Sequence, residues 1–314
     1  MNKVNASALN QKGQVLLILL LVMTVALAIG LSLVQRSATD ISTSVKLEQS
    51  SRAFSAAEAG IEKALGGSGS TNFSLENNTT TAVTDSGLLP ADNQALEYPP
   101  IGKEEIAHVW LADPNADFKV GSTGQYYSQT SLDVYWGLSQ SALVNDGEKP
   151  ALEVTLVYKE SGTYKFKKFY FDPAVQRVAG NGFMSPDGNI FTCGAAVGKI
   201  NTIFSKDPGT GSYSTLIRDR SFYCKAQLTG LTPTLILLRA RIFYSNSSHP
   251  FAVAPLGNCS TDDLKPCSLP KQVKIILSKG TSGNAQRSVQ LFKIDKVVPF
   301  FMDYAIFSAA AINK

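Results

Sequence analysis

"GQVLLILLLVMTVALAIG" (residues 13–30) runs for eighteen residues without a charge, and Lys12 sits directly before it. The apolar run then continues, so that from Val15 to Val34 only Thr24 and Ser32 are polar among twenty residues. At about 1.5 Å per helical residue this length matches a hydrocarbon core of about 30 Å, and the segment can span a bilayer as one helix. A cleavable secretory signal has a shorter apolar core followed by a small-residue site. Here "SLVQRSATDIS" follows and the helical signal does not stop. Lys3 and Lys12 predict that the N-terminal tail stays in the cytoplasm and the rest of the chain lies outside.

From Arg36 to Leu65 there is no Pro and a single Gly, Gly60, among many helix-compatible residues. The helix is therefore expected to continue out of the membrane, giving one rod of about 51 residues and about 75 Å from Val15 to Leu65. At about 100° per residue Leu47, Phe54, Ala57, Ile61, Ala64 and Leu65 share one face, and Ala38, Ile41 and Val45 cluster on the opposite side. Two stripes predict two packing partners, with Leu47 to Leu65 anchoring whatever domain follows.

A helix that is apolar all round at its base and amphipathic at its top has the shape of a type IV pilin-like subunit, and particular residues carry the resemblance further. "QKGQVLLILLL" resembles a class III leader site, with Lys12 and Gly13 in the positions before the cut. "RAFSAAEAGIEKAL" (Arg52 to Leu65) resembles the motif that closes the N-terminal region of PilX-like minor pilins. The resemblance covers roughly residues 11 to 65. It implies a leader over 1–13, cleavage by prepilin peptidase between Gly13 and Gln14, N-methylation of Gln14, and an assembly helix over 14–65 that packs against other pilin-like subunits. Ile18, Phe54, Glu58 and Ile61 are the positions this assigns to assembly.

The chain departs from the family pattern at two positions. Major pilins usually begin with Phe and carry a Glu at the fifth mature position, whose carboxylate meets the terminal ammonium of a neighbour inside the apolar filament core. Those positions are Gln14 and Ile18 here. An ammonium buried without its partner is costly, so a long homopolymer is disfavoured. A subunit used once, at a tip or in an initiation complex, need not make that contact. The reading that competes is an uncleaved single-pass anchor displaying an adhesin-like binding module.

"GGSGS" (Gly66 to Ser70) ends the helix, and the polar stretch "TNFSLENNTTTAVTDSG" reads as a loop, so 66–97 is expected to be a linker and 98–314 a folded domain. The Asn-x-Thr patterns within "NNTTT" read as polar loop. Beyond this point the period switches from 3.6 to 2. In "ALEVTLVYK" Leu152, Val154, Leu156 and Tyr158 alternate with Glu153, Thr155 and Lys159, and "ESGT" turns the chain into "YKFKKFYF", which together predict a hairpin. Further strands are expected at "AHVWLA", "LDVYWGL", "SFYCKAQL", "TLILLRARIFY", "KQVKIIL" and "SVQLFKI". The fold class is α+β, a long N-terminal helix followed by a mostly antiparallel, sandwich-like β domain packed on the upper helix.

With 44% apolar residues the chain can build a proper core, and its formal charge of +4, with no long run of Lys or Arg, does not imply nucleic acid. The four cysteines, Cys193, Cys224, Cys259 and Cys267, contain no CxxC pair, which argues against zinc. In an exported domain they suggest disulfides of Cys193 with Cys224 and of Cys259 with Cys267, against the alternative of four free thiols. His108 and His249 are the only histidines, without companions at metal or triad spacing, and no nucleotide-binding, nucleophile-elbow or HExxH motif is present. Nothing recommends an enzyme or a cofactor. Asp113, Asn115 and Asp117 alternate as calcium ligands do, but they lack the Gly and distal Glu of an EF-hand and read as a solvated turn. Lys165, Lys167 and Lys168 interleave with aromatic residues in "YKFKKFYF", where lysines on an edge strand are a simpler reading than a nucleic-acid platform.

Overall fold

A computed structural model of the chain describes residues 12–76, 78–90, 94–103, 105–114, 126–138, 145–203, 217–232, 234–256, 268–294 and 297. Helix α1 covers Lys12–Lys63 without interruption. It closes in a widened last turn, Ala64–Ser68, where Gly67 takes a φ of 97° that only a residue without Cβ adopts freely.

The segment expected to be a linker is instead sheet. β1 (Asn72–Leu75) and β2 (Thr79–Leu89) pair antiparallel directly after the helix, and β3 (Leu96–Ile101) follows. Thr79, Thr81 and Val83 are buried while Thr80, Ala82 and Thr84 are exposed, so the period of two is present but written largely in threonine. The remaining strands are β4 (Ile106–Trp110), β5 (Ser131–Trp136), β6 (Ala151–Glu160), β7 (Thr163–Phe171), β8 (Phe191–Ile203), β9 (Ile217–Thr229), β10 (Leu235–Phe243), β11 (His249–Pro255), β12 (Val273–Ser282) and β13 (Ala285–Ile294). A short helix, α2 (Val175–Asn181), lies between β7 and β8. The β6–β7 hairpin falls where the alternation placed it, and its turn residues Ser161 and Gly162 have φ of 50° and 83°, the left-handed pair that a two-residue hairpin requires.

The strands form three antiparallel sheets, in the orders β1-β2-β12-β13 (sheet one), β4-β10-β6-β7 (sheet two) and β3-β11-β5-β9-β8 (sheet three). Sheets two and three line one apolar core, to which Val109, Leu152, Val154 and Leu238 contribute from one side and Leu132, Val134, Trp136 and Phe251 from the other. Trp136 lies at its centre, 5.4 Å from Phe191 and 5.9 Å from Phe171 between ring centroids, and its indole N–H donates to the Pro150 carbonyl at 2.9 Å. The fold is α+β, as the sequence predicted.

Sheet one carries the helix, and β12 connects the helix contact to the core. Val273 and Ile275, on one face of this strand, belong to the core shared by sheets two and three, whereas Ile276 joins Ile61 and Ala64 of α1 in a second cluster. Farther along that second face Ser278 approaches Gly60, Gly280 approaches Ala53 and Ala57, and Gly283, just past the strand, approaches Gln49. As the strand ascends in sequence the helix descends, so β12 runs antiparallel alongside α1. The rises agree, since seven strand residues and fourteen helix residues each cover about 21–23 Å.

Candidate functional site

The segment from Val15 to Val34 is the most unusual surface of the molecule. Its Leu, Ile and Val side chains point in every direction and are exposed, Ile18 at 57% and Leu27 at 76%. Each such side chain gains about 1.5–3 kcal/mol when removed from water, so a bare run of this length demands lipid or protein around it. Among the described residues this is the one helix long and apolar enough to cross a membrane, which makes it compatible with a single-pass anchor. Gly13 and Gln14 lie in its first turn, directly below the span.

The upper third of the same helix is built differently. Ala53, Ala56, Ala57, Gly60, Ile61 and Ala64 face sheet one and are buried. A Cβ on Gly60 would lie 2.1 Å from Ser278 Oγ and 2.6 Å from Thr81 Cγ2, and one on Gly280 would lie 1.9 Å from the carbonyl oxygen of Ala53. Backbone meets backbone here, and the Thr81 hydroxyl uses the proximity to donate to the Ala56 carbonyl at 3.1 Å. Lower on the contact, Arg287 Nε donates to Ser50 Oγ at 2.8 Å.

This corrects the expected anchor face. Ile61, Ala57 and Ala64 do pack on the sheet, but Leu47, Phe54 and Leu65 are exposed, Phe54 at 47%, and Glu58 is exposed beside it. At the closest approaches, Gly280 on Ala53 and Ala57 and Gly60 on Ser278, there is no room for a larger side chain. The residues that make the junction, Ala53, Ala56, Thr81 and Gly280, went unnoticed because they are small. The signal that finds them is the run of small residues at 53, 56, 57, 60 and 64, a helical spacing of three and four.

Cys193 and Cys224 face one another across β8 and β9 and form a disulfide, as expected for one of the two pairs. Cys259 and Cys267 lie outside the described residues. So do Asn115 and Asp117; Asp113 is described, half-buried, just beyond β4. No group of three or more His, Cys, Asp or Glu side chains converges as metal ligands do among the described residues. "YKFKKFYF" is β7, the last described strand of its sheet. Its lysines are engaged locally: Lys168 pairs with Glu153 at 2.9 Å, Lys165 with Glu160, and Lys167 lies 4.9 Å from the Phe169 ring centroid.

Among the described residues one arrangement resembles catalytic machinery, and it is wired the wrong way for it. Ser245 Oγ lies 2.5 Å from His249 Nε2, a nucleophile-and-base distance. However, His249 Nδ1 accepts the backbone N–H of Leu138 at 3.4 Å, so a neutral ring carries its proton on Nε2 and donates it to the serine. A base for Ser245 would need the lone pair on that nitrogen. Burial pushes the His249 pKa down to about 4, which keeps the ring neutral, and the pair serves to close the turn before β11. His108 is pushed down to about 4 as well, by burial and by the Arg239 guanidinium, whose Nε donates to its Nε2 at 3.3 Å.

Asp172 forms a structural node of similar density. It is fully buried and receives Arg177 at 2.6 and 3.0 Å, Asn181 Nδ2 at 2.8 Å and the Ala174 N–H at 2.9 Å. Arg177 also donates to the carbonyls of Asp146 and Lys149, which ties α2 to the segment before β6. Every contact of this carboxylate points inward. Comparison with family models, with curated proteins and with solved structures finds no match to the chain.

Proposed function

We propose that this chain is a minor, pilin-like structural subunit of a type IV pilus or a related filament, placed at a tip or in an initiation complex. The observation that carries the reading is the contrast along α1, bare and apolar over Val15–Val34 and clamped to its own domain over 53–64. A helix held rigidly at one end and unpartnered at the other is suited to moving from a bilayer into a bundle of similar helices, since both environments cover the same surface. In this proposal Gly13 and Gln14 flank the processing site, Lys3 and Lys12 keep the tail cytoplasmic, and sheets two and three form a sandwich displayed outside. Prepilin peptidase, the membrane and other pilin-like subunits are the partners. Ile18, in place of a carboxylate, argues for single use of the subunit rather than repetition along a shaft.

The test is the mass of the N-terminal peptide from protein purified out of membranes, with prepilin peptidase present and absent. A chain that begins at methylated Gln14 only when the peptidase is present supports the proposal. A chain that keeps Met1 to Gly13 in both samples overturns it and leaves an anchored, adhesin-like binding module.

A further inference from the structure

β1 and β2 are joined by three residues, Glu76, Asn77 and Asn78, with Leu75 paired to Thr79 across the loop. The last position of such a loop takes the left-handed conformation, and Asn78 does so with a φ of 55°. Two overlapping Asn-x-Thr acceptor patterns cross this tip, one beginning at Asn77 and one at Asn78. The fold separates them. Thr79 is only 4% exposed and its hydroxyl bonds Ser282 Oγ at 3.3 Å, so the hydroxyl that belongs to the Asn77 pattern is enclosed by sheet one. Thr80 points the other way, and both it and Asn78 are exposed. Of the other Asn-x-Ser/Thr patterns, Asn5-Ala6-Ser7 falls in the tail that the proposed orientation keeps cytoplasmic, and Asn258-Cys259-Ser260 lies outside the described residues. All three residues of Asn72-Phe73-Ser74 are committed to the β1–β2 ladder, and Asn246-Ser247-Ser248 sits in the turn that Ser245 and Ser247 pin to His249 Nε2.

The position of the tip matters as much as its exposure. Thr79 pairs with Ser282, and the adjacent Gly283 lies against Gln49, where an added Cβ would be 2.6 Å from the Gln49 amide nitrogen. The tip is therefore at the end of the domain nearest the apolar span. Gln49 lies fifteen residues beyond Val34, or about 22 Å along the helix.

We propose that Asn78 is the acceptor of an N-linked glycan transferred from a lipid-linked donor in the same membrane. The carboxamide nitrogen of Asn78 attacks the anomeric carbon of an oligosaccharide carried on a polyisoprenyl diphosphate. The new C–N bond replaces the bond from that carbon to the diphosphate oxygen, the lipid diphosphate leaves with the electron pair, and the amide releases one proton. No oxidant or reductant is involved. The inference rests on the proposed orientation, with the sheets outside, and not on cleavage of the leader.

The test expresses the full chain in cells that supply a membrane oligosaccharyltransferase, its lipid-linked donor and an exported reference acceptor, followed by intact mass and glycopeptide mapping. One glycan is expected, on the peptide holding Asn78, at least tenfold above the peptides holding Asn72, Asn246 or Asn258. It is retained in Asn77→Gln and lost in Asn78→Gln and in Thr80→Ala, an exposed change that leaves the fold intact. Protease access to the sheets, from intact and opened cells, reports the orientation separately. Sheets outside with Asn78 bare and the reference acceptor modified overturns this inference alone. Sheets inside overturns the inference together with the orientation.

Discussion

Over Val15–Val34 α1 presents Leu, Ile and Val in every direction and touches no other element among the described residues, whereas over Ala53–Ala64 it presents Ala and Gly, with Ile61, on one face and brings its backbone against sheet one. The two ends of one helix therefore advertise partnership in opposite ways. Bulk marks a surface whose partner is generic, because lipid or a similar helix accommodates any apolar shape. Smallness marks a surface whose partner is already in place and leaves no room. In the upper helix the larger side chains, Leu47, Phe54 and Leu65, are displaced to the outside.

The sharpest way to break this contrast is to put volume into the junction. Gly280→Val places carbon within 1.9 Å of the Ala53 carbonyl oxygen, a backbone atom that cannot rotate away. The expected loss is about 3 kcal/mol or more in denaturant unfolding of the detergent-solubilised chain, with α1 released to proteolysis near residue 50. Acid tests the body instead of the junction. His108 and His249 titrate near 4 when folded and near 6.5 when unfolded. The unfolded chain thus binds more protons between those values, stability is full above about pH 6.5, and it falls as pH drops toward 4. A melting temperature that declines over that window in the parent and declines less in His249→Gln checks this.

Gly60→Ala is expected to be milder than the change at Gly280, because the atoms met, Ser278 Oγ and the methyls of Thr81 and Val83, belong to side chains that can shift. A cost of about 1–3 kcal/mol in the same denaturant assay is expected. Ser278→Ala has the opposite sign. The Ser278 hydroxyl is buried without a hydrogen-bond partner among the described residues, so its removal should leave stability unchanged or raise it by up to about 1 kcal/mol. Phe54→Ala should be nearly silent in unfolding, within about 0.5 kcal/mol, because the ring is 47% exposed. If Phe54→Ala destabilises the isolated chain as much as Gly60→Ala does, the division between a bulky outward face and a small inward face is wrong.

Much of the architecture was legible where one period dominated. The uninterrupted apolar and then amphipathic run gave the helix to within two residues of its observed end at Lys63, and the alternation in "ALEVTLVYK" located the β6–β7 hairpin. β1 and β2 were hidden because their buried positions include Thr79 and Thr81, the latter held against the backbone of α1 at Ala56, and threonine reads as loop when it neighbours asparagine. β8 was hidden by its interior: the register slips between Cys193 and Val197 and again before Lys199, so no single alternation runs through it. Of the candidate site, the span was plain from composition. The junction was obscure because a close approach is a property of two segments some 220 residues apart, and Gly280, in "LSKGTSGN", looks locally like a turn.

β12 lies lengthwise along α1 and, through Val273 and Ile275, is also a wall of the main core. A pull on the helix along its own axis therefore reaches sheets two and three as shear along this strand. Its ladders to β2 on one side and β13 on the other are loaded across all their hydrogen bonds together instead of being peeled one at a time. The chain is joined to its base in the geometry that best withstands tension.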